Sequence, residues 1–149
     1  IGIVALCYHG RHMAEETIFS KIISGEIPCT KVYEDDVVLA FLDIQPIQPG
    51  HTLVVPKTAS RDARETDPDT FTEVMLVAQK IAQALTTSLD CEGVNISMNC
   101  GEAAGQEVFH THVHVIPRFD DDGVMPGPLR GEYAETEADK VAAAIQAAL

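Results

Sequence analysis

The residues with the clearest chemical potential in this chain are three histidines that stand at every second position. His110, His112 and His114 lie in the run VFHTHVHVIPRF, residues 108–119. The β-branched residues between them favour an extended segment, in which side chains alternate between two faces. The pattern therefore predicts a strand that carries three imidazoles on one face and is ended by Pro117, which cannot donate to a sheet ladder.

Three explanations of this histidine row remain open from the residues alone. The first is a polar strand face that only meets solvent, although clustered titratable groups are typical of functional sites. The second is a metal site, but neighbouring side chains on one face are rooted roughly 6.5–7 Å apart and converge poorly on one ion. The third is catalysis, because a neutral imidazole can attack phosphorus while a charged neighbour stabilises the phosphate oxygens.

The elements around the row predict an α+β fold. A short helix over residues 17–25 is capped by Thr17 and closed by Gly25, and a long amphipathic helix begins at Pro68 and reaches Leu89. The strand before the histidine run is expected to pair with it as a hairpin, and the Ala-rich residues 137–149 are expected to be helical. Together these segments predict an antiparallel sheet of about five strands with one long and one or two short helices. The other strands are expected at residues 30–34, 37–42, 51–56 and 93–99.

The length of 149 residues indicates a single domain. Residues 10–13 (GRHM) resemble an expression-vector junction, with Met13 as a natural start. We therefore expect residues 1–13 to be a vector-derived or non-native extension, in which His9 and His12 are inert, and residues 14–149 to form the domain.

The overall charge argues against a nucleic-acid polymer as a partner. Ten lysines and arginines are outnumbered by 23 acidic residues, which gives a formal charge of −13. This field repels a phosphate backbone, although a local pocket can still accept one nucleotide. No apolar run has the length of a membrane span. The cysteines lack CxxC spacing, which indicates free thiols in a reducing, cytoplasmic compartment.

The chain resembles the histidine triad family. Residues 110–116 (HTHVHVI) match its alternating signature, except that Thr111 is less apolar than usual. The likeness covers most of the chain from Thr17 to Phe119 and is strongest to the Hint-like branch of purine nucleoside phosphoramidases. It extends to residues 17–23, 41–44, 49–57, Asn99 and 105–106.

This resemblance implies a nucleotide hydrolase that needs no metal or cofactor and is usually a homodimer. His112 would attack the α-phosphorus and form a transient nucleotidyl-histidine, and water would then release a nucleoside monophosphate. His114 would hydrogen-bond the phosphate. His110 and His51 would form a relay that orients His112.

The resemblance also assigns a purine-nucleotide pocket. Backbone N–H groups of residues 105–108 can face phosphate oxygens, Asp43 can accept both ribose hydroxyls, and four apolar side chains can sandwich the base. Without the resemblance, Asp43 is equally well explained as a turn residue and the four apolar residues as part of the core. Asn99 would then be a solvent-exposed position on an edge strand. The predicted pocket consists of Phe19, Ile22, Phe41, Asp43, Ile44, Asn99, Gly105, Gln106, Glu107 and Val108.

Two departures from the family pattern affect the expected chemistry. Many relatives carry a zinc-binding CxxC in the first helix, but this chain has Thr17 and Ser20 there, so we expect no structural zinc. Glu107 replaces a residue that commonly contacts the leaving group. Its carboxylate would pair with a cationic leaving group such as a lysine, or would slow turnover.

Other functions remain compatible with the sequence. A second enzymatic reading is hydrolysis of dinucleoside polyphosphates. A non-enzymatic one is a purine-nucleotide-binding interaction module with incidental hydrolysis. A metal-dependent hydrolase is the last alternative. A comparison of substrates, a substitution of His112 and removal of metal by chelation would distinguish these hypotheses.

Overall fold

The computed structural model describes residues 16–124 and 146–147. The proposed extension at residues 1–13 lies outside this part, as does the predicted helix over 137–149 except for residues 146–147, which are helical. The described elements are, in chain order, α1 (Ile18–Ser24), β1 (Lys31–Glu34), β2 (Val38–Leu42), β3 (Thr52–Pro56), α2 (Pro68–Leu89), β4 (Gly93–Ser97), a 3₁₀ turn (Glu102–Ala104) and β5 (Val113–Arg118).

Five antiparallel strands form one sheet in the order β1-β2-β3-β5-β4. This arrangement confirms the predicted α+β fold, including the pairing of β4 with the histidine strand. β5 is central because β3 pairs with one of its edges and β4 with the other. The strand with the last histidine is thus held on both sides near its start.

Side chains of the central strands alternate between two apolar clusters, one on each face of the sheet. The cluster under α2 includes Val38, Ala40, Val54, Val74, Val77 and Val113. The cluster under α1 includes Phe19, Leu39, Phe41, Leu53 and Val55. The short helix therefore covers part of the face that the long helix leaves open.

Both helices begin and end at the residues that their sequences predict. Thr17 and Ser20 form a reciprocal capping box at the start of α1, and Gly25 closes it with a φ of 83°. Asp67 accepts hydrogen bonds from two backbone N–H groups at the start of α2, directly before Pro68. Neither helix, among the residues that the structure describes, combines the length and apolar character needed to cross a bilayer.

The predicted extent of the histidine strand is wrong at both ends. β5 begins at Val113, so His110 and His112 precede the ladder. The reason lies in Thr111, whose backbone N–H bonds to the carbonyl oxygen of Ser60 at 2.8 Å and not to a strand. At the other end the strand continues through Pro117. Proline has no backbone N–H, but β3 pairs with β5 only as far as Val115, so no hydrogen bond to β3 is lost at Pro117.

Candidate active site

A cavity of about 490 Å³ opens on the face of the sheet that α1 partly covers. His51, His112 and His114 line it, and we call it the histidine cavity. Its volume is within the range of small-molecule sites. Nine of the ten residues predicted for the nucleotide pocket also line it, namely Phe19, Ile22, Phe41, Asp43, Ile44, Asn99, Gly105, Glu107 and Val108.

His112 is held as a neutral imidazole with one free nitrogen. Its Nδ1 lies 2.6 Å from the backbone carbonyl oxygen of His110. Because a carbonyl only accepts, Nδ1 carries the proton, and Nε2 keeps an unshared electron pair. Burial lowers the pKa of His112, although the bond to the carbonyl opposes that shift. The ring also packs against the edge of Phe19, with 5.1 Å between centroids. Nε2 is therefore a candidate nucleophile.

The backbone N–H of Ile47 and the ring of His51 together determine which nitrogen of His114 carries its proton. The backbone N–H of Ile47 donates to Nδ1 of His51 at 3.3 Å, so His51 carries its proton on Nε2. That Nε2–H donates to Nδ1 of His114 at 3.0 Å, which leaves His114 with a proton on its own Nε2. Burial, with smaller effects of His112 and His51, lowers the pKa of His114 to about 4. His114 is therefore a neutral hydrogen-bond donor at neutral pH.

The imidazole relay predicted from the sequence has a different order in the structure. His51 bonds to His114 rather than supporting His112. His110 supports His112 through its backbone carbonyl and not through its ring. The His110 ring is buried, with Nε2 at 2.8 Å from the carbonyl oxygen of Pro56 and Nδ1 at 3.5 Å from the hydroxyl of Thr17. It does not line the cavity, because these two contacts turn it toward β3 and α1.

The loop between β4 and the histidine segment is fixed by one side chain. Gln106 accepts a hydrogen bond from the backbone N–H of Gly101 and donates to the carbonyl oxygens of Arg61 and Val108, at 2.7, 2.7 and 3.0 Å. The side chain is buried and does not line the cavity. Gln106, which was predicted for the nucleotide pocket, thus supports the loop from behind, whereas its neighbours Gly105, Glu107 and Val108 border the cavity.

Sequence reasoning missed several apolar residues at the mouth of the cavity. Ile44 was predicted there and is 89% exposed, while its neighbour Ile47 lines the same rim and is 52% exposed. Ile18, from the outer side of α1, completes this rim. Large exposed apolar side chains around a cavity are typical of a ligand-binding site. The Pro-Ile-Gln-Pro sequence around Ile47 was the available signal.

The charge of the cavity is negative. Asp43 and Glu107 are its acidic residues, and among the residues described by the structure no lysine or arginine lines it. Burial lowers the pKa of each lining histidine, so these rings add no positive charge at neutral pH. The cavity therefore disfavours ligands that carry several negative charges.

A metal would have to compete with existing hydrogen bonds. Asp43, His51 and His114 each offer a ligand atom within 4.8 Å of the others. However, both ring nitrogens of His51 are already hydrogen-bonded. At the start of α1, the hydroxyls of Thr17 and Ser20 lie 3.1 Å apart and contact each other. The expectation of metal-independent chemistry remains a prediction.

His51, His110, His112 and His114 predict how stability depends on pH. The pKa of each is lowered, chiefly by burial, from an ordinary value near 6.5. Below about pH 6.5 the unfolded chain binds protons that the native protein does not, so stability falls as pH falls toward about 4. We expect a lower free energy of urea unfolding at about pH 5 than at about pH 7.5. An equal or higher value at the lower pH would contradict the neutral assignment.

The chain matches known proteins over most of its length. The HIT domain family model matches residues 24–121. An "Uncharacterized HIT-like protein" of Borreliella burgdorferi is 52% identical over 128 residues, which is 84% of this chain and 90% of that protein. "Adenylylsulfatase HINT3" of Arabidopsis thaliana is 39% identical over 110 residues, 74% of this chain but 56% of that protein.

A solved structure gives the same fold. The crystal structure of a HIT family protein from Bacillus anthracis superposes with a TM-score of 0.83 at 39% sequence identity. The match covers 91% of this chain and 99% of that chain. The observed sheet and helices therefore correspond to an established family architecture.

Proposed function

The chain belongs to the histidine triad (HIT) family of nucleotide-binding proteins and nucleotide hydrolases, and on this basis we propose that it hydrolyses purine nucleoside 5′-phosphoramidates. His112 is the nucleophile of this proposal, and the products are an amine and a nucleoside monophosphate. The observation that carries the proposal is the 2.6 Å contact between His112 Nδ1 and the His110 carbonyl oxygen. This contact leaves the electron pair of Nε2 available in a ring that lines the cavity.

In the first step His112 Nε2 attacks the α-phosphorus. A P–N bond to His112 forms, and the P–N bond to the leaving amine breaks. The amine departs with that electron pair and takes a proton from water. The attacked phosphorus is then part of a nucleotidyl-imidazolium whose Nδ1–H still donates to the His110 carbonyl. That hydrogen bond stabilises the positive charge that develops on the ring.

In the second step water replaces His112 on the phosphorus. A P–O bond forms, the P–Nε2 bond breaks, and its electron pair returns to the imidazole. The water gives its proton to solvent, so the nucleoside monophosphate leaves and His112 is neutral again. His114 acts in both steps as a donor to the phosphate oxygens, because its Nδ1 is occupied by His51 and its proton is on Nε2.

The apolar rim and Asp43 support binding of a nucleoside. Phe19 and Phe41 pack edge to face, with 5.7 Å between centroids, and form an apolar wall of the cavity. A purine base fits against such a wall, and exposed Ile44 can cover its other face. Asp43 lies at the end of β2, where its carboxylate can accept from two ribose hydroxyls.

The negative cavity supports a phosphoramidate over a dinucleoside polyphosphate. A phosphoramidate carries one charge on phosphorus, whereas a polyphosphate carries several. Asp43 and Glu107 would repel the additional charges, and the described lining offers no cation to balance them. Glu107 would instead attract a leaving group that carries a positive charge away from phosphorus, such as a lysine bonded to phosphorus through one of its two amines, with the other protonated.

We also propose that the protein is a cytoplasmic homodimer. β4 pairs with β5 on one edge, and its other edge is not paired to any strand within residues 16–124. Ile96 on this strand is 44% exposed. An open sheet edge with an exposed apolar side chain is suited to pairing with a second copy. Sedimentation of the purified chain over a range of concentrations tests this assembly.

Substrate comparison tests the proposed activity. We expect kcat/KM for an adenosine lysine-phosphoramidate to exceed that for diadenosine tetraphosphate by at least about 100-fold, because the cavity repels polyanions. Adenylyl sulfate is a useful third substrate, because its sulfate places a second negative charge beside Glu107. Faster cleavage of the polyphosphate would overturn the preference. Loss of activity after chelation, with recovery on adding metal, would overturn the metal-independent mechanism.

A further inference from the structure

The histidine segment is attached to the rest of the molecule at a point that the sheet does not reach. β5 begins at Val113, so His112 lies one residue before the ladder. Just before it, the backbone N–H of Thr111 donates to the carbonyl oxygen of Ser60 at 2.8 Å. The placement of His112 therefore depends on the loop segment of residues 60–66, which we call the anchor turn.

The hydroxyl of Thr111 forms a cluster with two hydroxyls of the anchor turn. The side-chain oxygen of Ser60 lies 2.8 Å from that of Thr66 and 2.9 Å from that of Thr111. The side-chain oxygens of Thr66 and Thr111 are 2.8 Å apart. Thr66 also donates to the carbonyl oxygen of Asp62 at 3.0 Å, and Thr111 lies 3.3 Å from that of Ser60. Thr111 is 1% exposed. Because a buried hydroxyl without a partner is unfavourable, this cluster fixes the register of residue 111.

The anchor turn is itself rigidly held. The carboxylate of Asp62 is buried and accepts from the backbone N–H, Nε and Nη2 of Arg64, at 3.0, 2.9 and 2.6 Å. The carbonyl of Asp62 accepts from the backbone N–H groups of Glu65 and Thr66. The guanidinium of Arg64 holds the pKa of Asp62 down to about 2, so this support persists over the physiological pH range.

The same turn also holds the loop of residues 101–107, which borders the cavity. The carbonyl oxygen of Arg61 accepts from Gln106, whose side-chain oxygen in turn accepts from Gly101. The loop that borders the cavity and the segment that carries His112 are therefore both hydrogen-bonded to residues 60–61. One rigid element sets the spacing between them.

We propose that the anchor turn positions the nucleophile, and that Thr111 is the positioning residue through which it sets the place and tautomer of His112. The proposal rests on the proposed function. An apolar residue at position 111 would fill the same space but would leave the hydroxyls of Ser60 and Thr66 without their shared partner. A shift of about 1 Å at the reacting atom is enough to slow catalysis about 100-fold.

Substitution of Thr111 tests this role. We expect Thr111→Val to lower kcat for the phosphoramidate about 10- to 100-fold, with the dissociation constant for adenosine monophosphate changed less than about threefold. Thr111→Ser keeps the hydroxyl and should retain kcat within about threefold of the parent. Nitrogen NMR of the imidazoles should show that His112 loses its uniform Nδ1–H tautomer in Thr111→Val and keeps it in Thr111→Ser.

Val77→Ala serves as a control for stability alone. Val77 is a buried residue of α2, in the apolar cluster on the face of the sheet that is opposite to the cavity. Its substitution should lower the melting temperature but leave kcat unchanged where the protein is fully folded. If Val77→Ala slows turnover as much as Thr111→Val, or if Thr111→Val keeps both kcat and the His112 signals, the proposal is wrong.

One further variant keeps the test decisive. Ser60→Ala removes one hydroxyl with little change in volume, and it replaces Thr111→Val if that variant does not fold. It should show the same loss of the His112 tautomer. If the parent protein hydrolyses no phosphoramidate, the proposed function fails, while the NMR comparison still decides whether Thr111 positions His112.

Discussion

Replacement of His112 by glycine is expected to reduce phosphoramidate hydrolysis by at least about 1,000-fold, because it removes the only group assigned to attack phosphorus. Binding of adenosine monophosphate should change much less, since the apolar wall and Asp43 remain in place. Steady-state kinetics and calorimetry on the same preparation separate these two effects. The nucleotidyl-histidine should be trapped by acid quenching in the parent and be absent from the variant.

Addition of free imidazole provides a sharper form of this test. His112→Gly leaves a space beside Phe19 in which a free imidazole can bind and attack the phosphorus. Partial recovery of turnover with imidazole would identify the missing function as nucleophilic. If instead His112→Gly hydrolyses the substrate at the parental rate without imidazole, His112 is not the nucleophile and the mechanism must be replaced.

Replacement of Gly50 by alanine is expected to lower the free energy of unfolding by about 3 kcal/mol. Gly50 has a φ of 99°, a backbone angle that residues with a side chain rarely adopt. A Cβ there would lie 2.6 Å from Leu89 and 3.2 Å from Leu85 at the end of α2, and 3.3 Å from Pro117 of β5. Strain and overpacking therefore act together. Urea unfolding at a pH near neutrality measures the loss.

Two other glycines separate these contributions. Gly25 has a φ of 83° but open space around its Cβ position, so Gly25→Ala should show the strain alone, about 1 kcal/mol. Gly93 lacks a positive φ and has its nearest neighbour at 3.8 Å, so Gly93→Ala should change stability little. Equal losses at Gly50 and Gly25 would show that α2 yields to the added methyl group. Because Gly50 directly precedes His51, Gly50→Ala should also disturb the bond from His51 to His114.

The sequence by itself determined the elements whose signals are local. Thr17 and Gly25 marked the ends of α1, and Pro68 marked the start of α2 within a residue. Alternating and helical periodicities predicted five strands and their α+β arrangement because burial of one face imposes them. The family likeness also proposed ten pocket residues, of which nine line the histidine cavity.

Only the tertiary structure decided the hydrogen-bond partners of the histidines. His51 bonds to His114 and Thr111 to Ser60, which lie 63 and 51 residues away along the chain, and no local pattern specifies these pairs. The start of β5 at Val113 follows from the same cause, since Thr111 bonds to Ser60 and not to a strand. Periodicity reports which face of an element is buried, whereas the proton positions of an imidazole depend on the groups that folding brings to each nitrogen.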